Sequence, residues 1–282
     1  MKGGYFLLNG HFHKEQDAVF SLADLTGRAE GFSETFRAEH NEILFSESIG
    51  LHLQRTAQSI GADLTEFIGS QGRRLRTDVS RLLNKNKFYL SAKIEMQFFR
   101  SSDQYHLVLR AGEMERDYYP IQEPGLILSF YKHQLKEIRA TPSYATDGLF
   151  LHQAAIRTAL ELQSPNLILL NRDGFCCESI GGSFAMINKD RIFFPSASSG
   201  GYRCAILDEV RQSAEEAGFS TEEQENIRPS ELLEAEELLL FDACNGIQKV
   251  LGLEDRRYYS TKSHQIALRL SELARKDRAD RV

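Results

Sequence analysis

The chain has 282 residues, 41% of them hydrophobic and 26% charged, with a formal net charge of -6. That composition excludes a disordered chain and supplies a core for one large domain or two small ones. The negative balance argues against nucleic acid or an anionic lipid surface as the main partner. No run of roughly 18 uncharged apolar residues offers a membrane span, and the first ten residues are too poor in apolar content for a secretory leader. Cysteines at 176, 177, 204 and 244 have no paired spacing. They read as reduced thiols in a cytoplasmic protein, without a structural zinc.

In chain order, Tyr5-Phe6-Leu7-Leu8 is a strand ending in the hairpin turn Asn9-Gly10, followed by Phe12 and the stretch Ala18–Phe20. From Phe32 to Ala38 aromatic and polar residues alternate, so one strand face is buried. His40-Asn41-Glu42 is then a turn and Ile43-Leu44-Phe45 the return strand. From Ser46, residues Ile49, His52, Leu53, Thr56, Ala57 and Ile60 recur at helical spacing until Gly61. A second helix is predicted over roughly 64–83, with Arg73, Arg74, Arg76 and Arg81 as a solvated face. Two strands follow, Phe88–Arg100 and Tyr105–Ala111, around the turn Ser101-Ser102-Asp103. The charged stretch to Gly125 holds Pro120 and Pro124 and has no periodicity. It predicts an N-terminal sub-domain over 1–118, a linker over 119–125 and a second sub-domain over 126–282, with a cleft between the two.

The second half opens on the strand Leu126–Tyr131. A helix over about 148–162 places Leu149, Ala155, Ile156 and Ala159 on one side. Short strands follow at Asn166–Asn171, Cys176–Glu178, Ser183–Asn188 and Arg191–Phe194. A helix carries Ile206, Leu207, Val210, Ala214 and Ala217, closed by Gly218. Leu238–Phe241 is a buried strand and Ile266–Leu273 a final amphipathic helix. Strands cluster with helices packed outside them, which is an α+β pattern of two sub-domains with mixed sheets.

No GxSxG, HExxH, Walker A or GxGxxG occurs, and no histidines stand at metal-ligand spacing. His52, on the apolar side of its helix, reads as structural. The small residues Ser196 to Gly201, ahead of Tyr202-Arg203 and the Ile206 helix, fit either a plain capping loop or an anion site at the helix start.

Several such segments, taken together and in order, resemble the class IV aminotransferase family, the pyridoxal-phosphate (PLP) fold type IV. That family includes branched-chain aminotransferases, D-amino-acid aminotransferases and 4-amino-4-deoxychorismate lyases. Tyr5 to Gly10 resembles its opening strand, and Gly31-Phe32-Ser33-Glu34-Thr35-Phe36-Arg37 its G-x-F-E-T-x-R strand. His52-Leu53-Gln54-Arg55 is similar to its H-L-x-R helix motif. Leu169 to Gly174 with Glu178 is similar to its L-L-N/D-x-x-G-x-x-x-E segment, and Phe241 to Val250 to its later strand and G-I-x-x-V loop.

The resemblance implies a D-amino-acid-aminotransferase-like fold, PLP as cofactor and a homodimer. It points to Arg55 for the cofactor phosphate and to Glu178 for the pyridine nitrogen, which keeps the ring an electron sink. It also points to the loop Gly201, Tyr202, Arg203 and Cys204, and to Gly246 and Ile247, for the rest of the phosphate.

A lysine forms the internal aldimine in that family and also moves the proton. At the corresponding position, 33 residues before Glu178, this chain has Ala145, followed by Thr146. Alanine supplies neither the amine nor the base. Lys132 and Lys136 stand upstream, and Lys136 lies nine positions away, roughly 30 Å along an extended chain. The loop at Arg203-Cys204 and the segment Leu25–Glu30 also depart from the family pattern.

The expectation is a degenerate paralogue with PLP noncovalent or absent, no catalytic residue assigned, and a small anionic metabolite bound in the interdomain cleft near Arg55. Two readings stay beside it: an active aminotransferase or aminodeoxychorismate-lyase-type enzyme, and an interaction protein keeping only the family's dimer surface.

Overall fold

The computed structural model describes residues 4–17, 19, 31–101, 104–114, 118–121, 124–138 and 149–279, with Leu149 and Phe150 described by backbone alone. Ala18, Phe20, the segment Leu25–Glu30, the turn residues Ser102 and Asp103, and Ala145 with Thr146 lie outside these residues. The chain divides into two compact units, Met1–Tyr118 with Lys276–Val282, and Tyr119–Arg275.

In the first unit, β1 (Tyr5–Leu8), β2 (His11–Lys14), β3 (Gly31–Glu39), β4 (Glu42–Ile43), β5 (Ser91–Ser101) and β6 (Gln104–Met114) form one sheet in the order β2-β1-β6-β5-β3-β4. Asn9-Gly10 makes the tight β1–β2 turn, with Leu8 opposite His11. β3 pairs with β5 along its whole length, from Gly31 opposite Phe99 to Glu39 opposite Ser91. Its burial alternates only as far as Phe36. Beyond that both faces are covered, so Arg37 and Glu39 are buried as well.

The return strand after the His40-Asn41 turn is shorter than expected. β4 holds only Glu42 and Ile43, because Phe45 turns into left-handed backbone (φ 51°) at the head of helix α1 (Ser46–Ser59). α1 buries Ile49, His52, Leu53, Thr56 and Ala57 of the predicted stripe, whereas Ile60 falls on the C-cap after Ser59 and is exposed. The single helix predicted over 64–83 is in fact broken. α2 (Thr65–Ile68) stops at Gly69 and α3 (Arg73–Asn86) begins after Gly72; both glycines have φ near +70°, which no right-handed helix allows. The α3 arginines are more than a solvated face. Arg74 donates to the Glu66 carbonyl at 2.8 Å, and Arg81 pairs with Asp78 at 2.8 Å and stands over the Phe12 ring, tying α3 to the β1–β2 hairpin.

The second unit is built on a larger sheet of β7 (Leu126–Lys136), β8 (Leu167–Asn171), β9 (Cys176–Ser179), β10 (Ser183–Asn188), β11 (Arg191–Pro195), β12 (Ser220–Gln224), β13 (Glu237–Asp242), β14 (Gly246–Leu253) and β15 (Arg256–Arg257). Its order is β12-β11-β10-β13-β14-β7-β8-β9, with β15 on β14. The parallel pairs β7–β8, β7–β14 and β11–β12 combine with antiparallel hairpins into a mixed sheet.

α4 (Leu149–Glu161), α5 (Leu207–Glu216), α6 (Pro229–Glu234) and the start of α7 (Thr261–Ala279) accompany it. Sheet residues Leu128, Ile168, Phe184, Leu238 and Val250 form the main core with Leu232 of α6. None of the helices among the described residues is long and apolar enough to cross a membrane.

Two expectations fail here for physical reasons. On α4 the buried stripe is Leu151, His152, Ala155 and Ala159, whereas Ile156 is exposed. A three-residue step from His152 to Ala155 and a four-residue step to Ala159 set that face. The strand predicted to end at Tyr131 continues to Lys136 through an irregularity between those two residues, beyond which it pairs again with Asn171. The break defeats simple alternation, since Lys132 to Leu135 are all exposed and Lys136 is buried again.

Candidate functional site

The buried polar groups of the second unit gather around Glu178. β9 holds this carboxylate completely out of solvent. The Lys136 ammonium, at the end of β7 and only 4% exposed, donates to Glu178 Oε2. His152 Nε2, from α4, donates to Glu178 Oε1 at 3.1 Å. Three elements separated in sequence thus place an ammonium and an imidazole on one buried carboxylate.

The surrounding shell is fixed. Arg172 N–H donates to the Lys136 carbonyl at 2.9 Å, and Asn171 Nδ2 donates to the Ser199 carbonyl at 3.0 Å. Asn171 Oδ1 in turn accepts from the backbone of Asp173 and Phe175, which shapes the β8–β9 turn. Beside Glu178, burial and the neighbouring carboxylate push the Cys177 thiol well above its ordinary range despite the opposing Lys136 charge, so it is a poor nucleophile.

The loop before α5 packs onto the same strand: a Cβ on Gly201 would stand 3.2 Å from the Cys177 carbonyl and 2.9 Å from that of Ser196. Its first amides are used within the loop. Ser198 N–H donates to Ser196 Oγ, Ser199 and Gly201 to the Ser196 carbonyl, and Gly200 to that of Ala197. These bonds cap the short turn Ala197–Ser199, and the head of α5 at Ile206 has no side-chain cap. The Tyr202 carbonyl accepts from Ser183 Oγ. Arg203, placed by resemblance on a phosphate, pairs with Glu223 at 2.9 Å, and Arg211 reaches the same oxygen at 2.5 Å. Burial pushes the Glu223 carboxyl up, but the bonds from Arg211 and Arg203 outweigh it and hold it below its ordinary value.

At the head of β14, Asp242 Oδ1 accepts from the Cys244 and Asn245 amides at 2.8 Å each and folds the turn into Gly246. Gly246 has φ +69°, and a Cβ there would meet the Tyr119 ring at 2.6 Å. Tyr119 is buried and donates its hydroxyl to the Ala243 carbonyl at 3.1 Å. Burial, with Cys244 and Cys204 nearby, pushes its phenol well above its ordinary value, so it stays protonated.

Of the residues predicted from sequence, Glu178, Gly201, Tyr202, Cys204, Gly246 and Ile247 all sit in the second unit. Gly201 packs onto β9, and the Tyr119 ring packs on Gly246. Arg55 lies in the first unit, exposed on α1, with no ion pair among the described residues. His52 is structural there, buried against Glu34 Oε1 at 3.1 Å. Lys136, His152 and Tyr119 were not singled out from sequence as site residues. The histidine lies on the apolar stripe of α4 and was findable from spacing. The strand irregularity hid the lysine.

The chain matches the amino-transferase class IV family over residues 31–253 and belongs to it. No curated protein sequence matches it. Solved structures share the fold at low identity. A branched-chain aminotransferase from Thermoproteus uzoniensis, solved with norvaline, superposes with a TM-score of 0.81 at 17% identity, covering 98% of this chain and 96% of its own. A hypothetical aminotransferase from Mycobacterium tuberculosis, in its PLP-bound form, gives 0.81 at 13%, covering 96% and 98%. A fold-IV transaminase from Curtobacterium pusillum gives 0.80 at 18%, covering 96% and 94%. The fold is therefore that of fold-type-IV aminotransferases, as the motifs implied.

The residues at this site do not fit a pyridinium on Glu178. Both oxygens of Glu178, the carboxylate assigned by resemblance to the ring nitrogen, already carry protein donors. The space over Gly246 is taken by Tyr119.

Proposed function

We propose that this chain is a class IV aminotransferase paralogue that performs no covalent pyridoxal chemistry and binds a small anionic metabolite, as a cytoplasmic homodimer. One observation carries the reading: Glu178 is satisfied from within by Lys136 and His152. Alanine at 145, where the resemblance expects the anchoring lysine, agrees with it. The exposed Arg55 guanidinium, with no ion pair among the described residues, supplies the anion contact. A retained buried amine beside Glu178, that of Lys136, favours the second reading, an active aminotransferase or 4-amino-4-deoxychorismate lyase-type enzyme.

The two readings separate in one preparation. The purified protein is mixed with PLP, treated with borohydride and digested, and its lysine peptides are weighed. The paralogue reading expects no visible-absorbing species and unmodified peptides. A ring fixed stoichiometrically to one lysine after unbound PLP has been removed overturns it, and trace labelling spread over exposed lysines does not. Inorganic phosphate, as the anion probe, is expected to raise the melting temperature of the native chain and not that of Arg55→Ala.

A further inference from the structure

We infer that the cavity between α3 and the β3–β4 turn binds a small polar zwitterion, a molecule with an ammonium at one end and a carboxylate at the other. The inference concerns residues of the first unit alone and stands apart from the proposed function.

The cavity holds about 610 Å³, within the range of small-molecule sites. α3 packs against β4 and forms a basic wall with Arg76 and Arg81. The turn, β4 and the first turn of α1 form an acidic wall with Asn41, Glu42 and Glu47. Arg81 is already engaged, since it donates to Asp78 at 2.8 Å and to the Gly10 carbonyl at 3.4 Å. Arg76 reaches only a carbonyl, that of Gln71 at 3.2 Å, and has no carboxylate partner among the described residues. Glu42 and Glu47 likewise form no ion pair among the described residues. The two walls therefore carry opposite charges that do not neutralise each other.

The acidic wall also has unmet hydrogen-bonding capacity. Asn41 Oδ1 and Glu42 Oε2 are shielded from solvent and have no donor among the described residues. Shielded acceptors without donors are costly, and a ligand N–H that reaches them recovers that loss. Both residues are half-buried and their terminal torsions are soft, so a donor in the cavity can draw either oxygen round. The backbone that carries them is fixed by pairing, Glu39 opposite Glu42 and Ala38 opposite Ile43.

A plain anion at Arg76 is opposed by Glu42 and Glu47, and a plain cation at Glu42 by Arg76 and Arg81. A ligand with both charges meets a complement on each wall. Ile43 is the one apolar side chain among the described residues lining the cavity, so the stretch between the two charges is polar.

The test titrates the native chain calorimetrically with three probes on one backbone. Glycylglycine carries both charges, N-acetylglycylglycine the carboxylate alone and glycylglycinamide the ammonium alone. Glycylglycine is expected to bind roughly tenfold or more tightly than either of the others. Equal affinity for all three overturns the inference, as does tighter binding of a singly charged probe or no binding of glycylglycine by about 10 mM.

Variants then place the binding. Glu42→Gln and Arg76→Gln are each expected to weaken glycylglycine by roughly tenfold, and affinity within about twofold of native in either one overturns the inference. Arg55→Ala is expected to stay within about twofold of native; a tenfold loss there overturns the inference, because the probe would then occupy the site of the proposed function. Melting temperatures without probe establish that each variant is folded. Should one not fold, the three-probe comparison on the native chain decides. A borohydride-fixed lysine would sink the proposed function and leave these ratios as they are.

Discussion

Among the described residues each unit holds one carboxylate with no exposed surface, Glu39 and Glu178, and these two are satisfied in opposite ways. In the first, Glu39 accepts from Arg37 Nε at 2.5 Å, Ser91 Oγ at 2.7 Å and the Tyr118 amide at 2.7 Å. Arg37 is its neighbour two positions along one strand, and Ser91 is its paired residue on the next. The cluster therefore forms with the β3–β5 ladder itself. In the second unit Glu178 draws Lys136 and His152 from positions 42 and 26 residues away, on different elements. The first cluster is a by-product of strand geometry. The second exists only if three elements arrive together, and its charges are those on which the functional reading turns.

The sharpest way to break the comparison is Glu178→Ala. It removes the Glu178 carboxylate from a buried ammonium, and the expected cost is about 3–5 kcal/mol in urea unfolding. Lys136→Met/Glu178→Gln removes both charges while keeping the apolar stem, and it should recover most of that loss. A double variant as unstable as the single one would mean that the pair contributes through shape and not charge.

Arg37→Met tests the other cluster. Glu39 keeps the Ser91 and Tyr118 donors, so the expected loss is smaller, about 2–3 kcal/mol. If Arg37→Met were the more damaging of the two, the distinction between local and assembled clusters would fail.

What could be read in advance follows the same division. The β1–β2 turn, the α1 stripe, Glu178 and the glycine segments were legible because each is a local pattern: a dipeptide, a helical period or a short motif. The break between α2 and α3 was written in Gly69 and Gly72 but overlooked in favour of the apolar period around them. Measured along an extended strand from Ala145, Lys136 lies too far away to serve the site. The relevant distance runs across the sheet to Glu178, and only the pairing of β7 with β8 brings it there. Tyr119 stood within the predicted linker, and its burial on Gly246 depends on a turn 127 positions later, from 119 to 246, that no local rule connects.

Surface pairs complete the ranking. Arg81, with about half its side chain exposed, holds Asp78 and stands over Phe12. Arg81→Ala is expected to cost less than about 1 kcal/mol, and the loss should shrink in high salt, unlike that of Glu178→Ala. A salt-independent loss would place the contribution in stem packing instead.

The smallest effect is also the one with a defined pH window. Glu223 has its folded carboxyl held below the ordinary 4.5, because the hydrogen bonds from Arg211 and Arg203 exceed the opposing effect of burial. A carboxyl lowered on folding stabilises the native state at pH above its unfolded value, and that stabilisation drains away as pH falls through the folded value. Glu223→Gln should therefore be less stable than the native chain at neutral pH by under about 1 kcal/mol, since the pair is partly exposed and solvent screens it. The gap between the two urea midpoints should stay constant down to roughly pH 5 and close below it. If it widened on acidification, the sign of the Glu223 shift would be reversed and Arg203 would be free of that carboxylate, available to an anion as the family resemblance first placed it.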